Sequence, residues 1–260
     1  CRMTAQPVGI SDMSLYVPPS LMTLEEILAR RAAENPAFER RLRRAIESTD
    51  QRSLRFTRPW EDPVTLAAQA VHPLVQDSQA AARVRYFAVG TETSVDMSKP
   101  IASYAHGALQ RSGAALPREL STFQVQHACA GGTIALMSVG ALLGAAGRDG
   151  ESGIVVCSDV ARYQAPSTAE ITQGAGAVAM TVERNPALLE LDLGTAGLAS
   201  ADVDDFFRPL GSVTARVKGR YSVDCYNEAL DAAFVDHAAR RGITPTEALS
   251  DTDLFVVHVP

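Results

Sequence analysis

The sequence predicts an α/β fold built on a mixed or parallel sheet. Residues 84–90 (VRYFAVG) and 153–157 (GIVVC) are short, largely apolar runs of strand length, the pattern of strands covered on both faces. Segments of helical periodicity stand between such runs, and several open on capping residues. No repeat, linker or low-complexity tract breaks the alternation. This points to packed βα units and to one domain over residues 1–260.

Taken in order, residues 8–17 alternate loosely and close on Pro18-Pro19, a strand ended by a turn. Thr23 is the expected N-cap of the next helix, with Glu26 at the capping-box position. Asn35-Pro36 interrupts that helix and starts a second, with Phe38, Leu42 and Ala45 on one face. Residues 48–59 read as polar and irregular. Asp62 as N-cap and Pro63 at the first helical position open an alanine-rich helix over residues 64–82, which Pro73 should kink or break. After the strand at 84–90 come a polar loop over 91–100, a helix over 101–112, a strand over 121–125 and a buried helix over 134–146. Strands are expected at 153–157, 177–182 and 188–193, then an acidic loop at 201–205. A long helix over 221–240 carries Tyr226, Leu230, Ala233 and Phe234 on its apolar side; a short helix at Pro245 and a strand over 254–257 end the chain. Gly174 and Gly176 lead into a strand and not a helix, so close strand approach explains them better than a phosphate loop.

A composition of 46% hydrophobic and 21% charged residues is that of a globular protein, and a net charge of −6 argues against general nucleic-acid binding. Cys1, Cys129, Cys157 and Cys225 form no CxxC pair. Neither a zinc site nor a disulfide framework is expected, and a reducing cytoplasm is the natural setting. No apolar run is expected to reach the roughly 18 residues of a membrane span, and no signal segment is visible. An arginine cluster at residues 40–44, with Arg30 and Arg31 nearby, reads first as a solvated helix face. Its second reading is a patch for an acidic carrier or a phosphorylated cofactor tail.

The chemistry centres on Gln126-His127-Ala128-Cys129-Ala130-Gly131-Gly132-Thr133. The stretch places a cysteine where a strand turns into a helix. Oriented N–H groups at a helix start lower a thiol pKa and can hold an oxyanion. Two glycines beside it allow close approach of backbone or substrate. Local sequence leaves two readings open: a nucleophile, or a small buried core residue. Glu61 stands just before a helix start, where an acid is favoured by the dipole alone.

Several stretches together resemble the 3-hydroxy-3-methylglutaryl-CoA synthase family of the thiolase superfamily. Gly90-Thr91-Glu92-Thr93 with Asp96 and Ser98-Lys99 resembles its GTET…D.SK segment, and Ala128-Cys129 followed by Gly131-Gly132-Thr133 its nucleophile motif. Ser158-Asp159-Val160-Ala161 with Tyr163, the TQGAGAVA run at residues 172–179, Asp205-Phe206-Phe207-Arg208-Pro209 and Val257-His258-Val259-Pro260 follow in family order. The resemblance implies the layered αβαβα thiolase fold, with the second half incomplete in this chain. It also implies condensation of an acetyl thioester with a 3-oxoacyl thioester, carried on CoA or on an acyl carrier protein, with no metal or redox cofactor. Cys129 is then the acyl-accepting nucleophile, and Glu61, in Trp60-Glu61-Asp62, the general acid/base, its pKa raised by burial near Trp60. His258 orients the second substrate's carbonyl, and Ala130, Tyr163, Gly174 and Ser222 bind substrate. A homodimer is expected on the same ground. Mevalonate-pathway and polyketide β-branching members are both within reach of the resemblance.

The chain departs from the family pattern at Ala130, where a tyrosine is common, at His127, where an asparagine is common, and over residues 212–220, which lack YP.VDG. Two alternatives follow. One is a type III 3-oxoacyl-carrier-protein synthase, with an asparagine in the role given to Glu61. The other is a catalytically silent partner subunit on the same fold.

Overall fold

A computed structural model describes residues 6–258 of the chain. Cys1, Val259 and Pro260 lie outside the described residues. The described residues group into two compact units, divided between Leu191 and Asp192.

The first unit contains β1 (Val8–Tyr16), β2 (Leu21–Thr23), α1 (Leu24–Glu34), α2 (Pro36–Thr49), β3 (Ser53–Arg55), α3 (Pro63–Val71), α4 (Ser78–Ala82) and β4 (Val84–Thr91). It continues with α5 (Ile101–Arg111), β5 (Ser121–Gln126), α6 (Gly131–Ala146), β6 (Ser152–Ala161), β7 (Gly174–Arg184) and β8 (Leu189–Glu190). Six strands form one mixed sheet in the order β5-β4-β6-β7-β1-β8. β4 runs parallel to both β5 and β6, while β7 is antiparallel to β6 and β1. The C-terminal ends of β4, β5 and β6 therefore share one edge, the edge where ligands of α/β sheets bind.

Alternation along the strands sends side chains to two cores. On one face Phe87, Val89, Ile154, Val156, Ala177 and Ala179 pack against α3 and α5. On the other, Ala88, Val155, Met180 and Val182 pack against Ala135, Val139 and Leu143 of α6. Burying a residue the size of Phe87 contributes about 1.5–3 kcal/mol. The run Ala128–Ala146 is long and apolar enough to cross a membrane by length and composition, which corrects the expectation that none would be. Its Ala135, Val139 and Leu143 are instead buried against the sheet.

Local chemistry sets the element ends. Thr23 accepts the Glu26 N–H and Glu26 returns a bond to the Thr23 N–H, the expected capping box. Asp62 caps α3 through the Thr65 N–H at 2.8 Å, and Pro63 stands at its first position. α3 stops at Val71, and a 3-10 turn through Pro73 (His72–Val75) separates it from α4, the break that proline imposes. α2 buries Leu42 and exposes Arg40, Arg41, Arg43 and Arg44, with Arg43 paired to Glu39. That basic cluster is a solvated face.

The α1–α2 hairpin is fastened by Arg31. Its guanidinium donates to both carboxylate oxygens of Glu170, Nε at 2.9 Å, and to Glu34. Glu170 is 6% exposed. Arg31→Ala leaves that carboxylate buried without its cation and is expected to cost about 3–5 kcal/mol, read as a lowered denaturation midpoint. Glu170→Ala in the same background should recover part of the loss.

The second unit holds a ribbon of β9 (Phe206–Phe207) and β10 (Arg216–Val217), then α7 (Gly219–Arg241) and α8 (Pro245–Ser250). α7 ends at Gly242 in the left-handed region, φ 71°. Leu230, expected on its apolar side, is exposed, whereas Tyr226, Ala233 and Phe234 are half-buried. Residues 254–257 do not form the expected strand. Leu254 and Val256 are 76% and 89% exposed, and no described strand pairs with them. Apolar composition alone makes no strand without a neighbour for its hydrogen bonds. The strand expected at 188–193 is reduced to β8, and the segment read as irregular contains β3, paired with β2.

Candidate active site

The cysteine corner is built by three glycines. A Cβ on Gly90 would stand 2.2 Å from the Gly132 nitrogen, one on Gly131 would be 2.7 Å from the Val125 oxygen, and one on Gly132 would be 2.2 Å from the Cys157 sulfur. Only hydrogen at all three lets the start of α6 sit directly on β4, β5 and β6. The chain enters this seat through Ala128 at φ 39°, a left-handed conformation that costs an alanine roughly 1–2 kcal/mol. A 3-10 turn (Ala128–Ala130) then presents Cys129 and Ala130 at the surface, exposed, just past the C-terminal end of β5.

The electrostatics of Cys129 differ from the expected activation. Burial of one side of the thiol, then the carboxylates of Glu92 and Asp159, push its pKa above the ordinary cysteine value. A backbone hydrogen bond at Cys129 lowers the pKa by less than these raise it, so the surroundings favour the neutral thiol.

Glu92 and Asp159 come from the ends of adjacent strands. Asp159, near the end of β6, accepts four hydrogen bonds on Oδ1: from Thr91 Oγ1 at 2.8 Å, Glu92 N–H at 2.8 Å, Thr93 N–H at 3.1 Å and Thr93 Oγ1 at 2.7 Å. Burial nevertheless raises its pKa. Glu92 follows β4 directly, next to Thr91, which pairs with Gln126 at the entrance to the cysteine turn, and its charge raises the thiol's pKa. Its position in the GTET segment was the available signal. An acid one residue past a parallel strand lies on the edge where such sheets bind ligands.

Glu61 is placed elsewhere. It precedes α3, on the face of the sheet opposite α6, and accepts from the Tyr16 hydroxyl at 2.6 Å and from the Arg58 N–H at 2.7 Å. Tyr16 lies on β1, three strand positions from β4, roughly 14 Å at ordinary strand spacing. These hydrogen bonds, the Tyr16 one foremost, hold the carboxyl below the usual range. Trp60 is 70% exposed. The expected raised pKa is thus reversed, and the structure does not bring Glu61 to Cys129.

Gly174 opens β7 beside a cavity of about 370 Å³, whose lining also includes Arg30, Arg31, Arg55, Arg162 and Gln173. A Cβ on Gly174 would be 4.0 Å from its nearest neighbour, Arg55 O, and one on Gly176 3.5 Å from Tyr16 O. Strand packing therefore does not demand these glycines, contrary to the expectation. The Tyr163 N–H donates to Gln173 Oε1 at 3.0 Å, at the same rim. Ser222 and His258 belong to the second unit. There Ser222 donates to Asp205 Oδ2 at 2.8 Å, and the Tyr226 hydroxyl donates to the His258 carbonyl at 2.6 Å.

Comparison with known proteins fits this corner. The family profile described as "Hydroxymethylglutaryl-coenzyme A synthase N terminal" matches residues 4–187. The chain belongs to this family. It is 30% identical over 255 residues to the hydroxymethylglutaryl-CoA synthase of Enterococcus faecalis, covering 97% of this chain and 61% of that protein. Among solved structures it is similar to MvaS in complex with 3-hydroxy-3-methylglutaryl coenzyme A, with a TM-score of 0.80 and 37% identity, over 96% of this chain and 57% of that one. The HMG synthase of the curacin pathway shares the fold, with a TM-score of 0.75 at 24% identity over 90% of this chain and 54% of that one. The family fold is thus the thiolase-like one expected, and the first unit supplies one α-β-α sandwich of its layers. The chain spans little more than half the length of these relatives.

Proposed function

We propose that this chain carries the acetyl-accepting site of a hydroxymethylglutaryl synthase-type condensation. The observation that carries the reading is the glycine-seated Cys129 at the sheet edge, with Glu92 directly after Thr91, which pairs with Gln126 at the entrance to the cysteine turn, so that the Glu92 charge acts on the thiol. The acetyl group of a thioester passes to the Cys129 sulfur, and the carrier thiol leaves with the cysteine proton. The Glu92 carboxylate then removes a proton from the acetyl methyl. The resulting enolate carbon bonds to the ketone carbon of a 3-oxoacyl thioester, and the Glu92 carboxyl returns its proton to the alkoxide. Water cleaves the cysteinyl thioester, giving a free carboxylate and the Cys129 thiol. Backbone N–H groups at the start of α6 stabilise the thioester oxyanion. His258 serves the acceptor carbonyl, as the resemblance implies.

The arginine-lined cavity at Gly174 supports a phosphate-bearing carrier arm, from CoA or from an acyl carrier protein. Arg162 is exposed at that cavity. Arg162→Ala is expected to raise KM for the acyl donor while leaving kcat near wild type, checked by steady-state rates with CoA-borne and carrier-borne acetyl groups. Ala130, Tyr163, Gly174 and Ser222 complete the substrate contacts in this reading. It also includes a homodimer in the cytoplasm. The dimer is supported by the free edge of β5, which pairs only with β4 among the described residues. A reducing compartment would keep Cys129 a free thiol. The activity is tested by supplying acetyl and acetoacetyl thioesters together and following the 3-hydroxy-3-methylglutaryl thioester by mass spectrometry. A partner subunit without activity would form none.

A further inference from the structure

We propose that Thr93 is a positioning residue that holds the Glu92 carboxylate at Cys129 by tying the end of β4 to the end of β6. The paired register of these strands stops at Gly90 and Cys157. Beyond it the connection is made by side chains. Thr93 Oγ1 donates to Asp159 Oδ1 at 2.7 Å and accepts from the Val160 N–H at 3.0 Å. The Thr93 N–H reaches Asp159 Oδ1 at 3.1 Å and Thr91 Oγ1 at 3.0 Å. Thr91, fully buried, gives its own hydroxyl proton to the same carboxylate oxygen. Glu92 thus stands between two residues fastened to one atom, with its own N–H on that atom too.

Of these groups, the Thr93 hydroxyl is the one that binds both the Asp159 side chain and the β6 backbone. It takes the place of the ladder bond that β4 and β6 no longer make. Removing it detaches the outer side of the segment carrying Glu92 from the β6 backbone and leaves that side held by the Thr93 N–H alone, while Thr91 still holds the inner side. A displacement of about 1 Å in a reacting group can cost about 10²-fold in rate. Thr93 touches no reacting atom; its effect is assigned to Glu92 and not to the charge of Asp159, a distinction the double variant below tests, and the inference rests on the role proposed for Glu92.

The test uses Thr93→Val, which keeps the shape and removes both hydrogen bonds, Thr93→Ser, which keeps them, and Thr93→Ala in case valine does not fold. Alkylation of Cys129 by iodoacetamide is followed against pH by mass mapping in each variant, in Glu92→Gln and in Thr93→Val/Glu92→Gln. Thr93→Val is expected to move the Cys129 titration to lower pH, as Glu92→Gln does, because a negative neighbour is withdrawn. Thr93→Ser should keep the wild-type titration. The double variant should match Glu92→Gln alone, since two changes acting through one group do not add. An unmoved titration in Thr93→Val, or a double variant that shifts well beyond Glu92→Gln, overturns the proposal. In condensation assays Thr93→Val should lose about 10²-fold with acetyl-Cys129 still formed. If the wild type does not condense while the alkylation pattern holds, the proposed reaction fails and the positioning role stands.

Discussion

Glu92→Gln is expected to leave acetyl transfer to Cys129 intact and to reduce condensation by about 10²–10⁴-fold, the usual contribution of a positioned acid/base. Glutamine keeps the size and the N–H attachment to Asp159 but cannot accept the methyl proton. The variant should also make Cys129 easier to ionise, because the Glu92 charge helps to raise its pKa. Faster alkylation at neutral pH together with lost condensation separates loss of the base from loss of the nucleophile. Glu61→Gln is the matched control. Glu61 faces Tyr16 and Arg58 on the other side of the sheet, so condensation should stay within a few-fold of wild type. A collapse in Glu61→Gln with Glu92→Gln unaffected would return the role to Glu61.

The second large effect is expected at the glycine seat. Gly132→Ala drives a Cβ to 2.2 Å from the Cys157 sulfur, whereas the next atom, Cys157 Cβ, is 3.5 Å away. Overpacking of this kind costs about 1–3 kcal/mol and pushes the start of α6, with Cys129, off the sheet. Cys157→Ala removes the sulfur and leaves only an ordinary contact. Gly132→Ala/Cys157→Ala should therefore recover both the denaturation midpoint and Cys129 acetylation. Gly90→Ala has no comparable rescue, because its Cβ meets the backbone of Gly131 and Gly132 at 2.3 and 2.2 Å. It should lose acetylation outright even where the chain still folds.

Much of the framework was legible where local chemistry decides. The caps at Thr23 and Asp62, the break at Pro73 and the alternation of apolar strands with helices each have a local cause, and each stands in the structure. The corner at Cys129 was legible as a corner because a strand, a small-residue turn and an apolar helix follow one another. Glu92 was not, because its local surroundings are an ordinary polar loop. Only the parallel pairing of β4 with β5 and β6 brings it to the cysteine. Glu61 misled for the converse reason: a neighbouring tryptophan suggests burial, yet Trp60 points to solvent beneath the Arg58 guanidinium, 5.7 Å from its ring. The thiol pKa misled likewise, since a helix start is one influence among several, and burial first, then two carboxylates, raise the pKa. Residues 254–257 had the composition of a strand but no partner strand among the described residues.

Cys129 is the acetyl acceptor on which every step of the proposed reaction depends. Intact-mass measurement after incubation with acetyl-CoA, and separately with acetyl-carrier protein, tests this most directly in wild type, Cys129→Ser and Glu92→Gln. The predicted result is one acetyl group added by at least one donor in the wild type and in Glu92→Gln, absent in Cys129→Ser, and released from the wild type alone when an acetoacetyl thioester is added. An acetyl group that persists in Cys129→Ser, or no adduct with either donor, would contradict it.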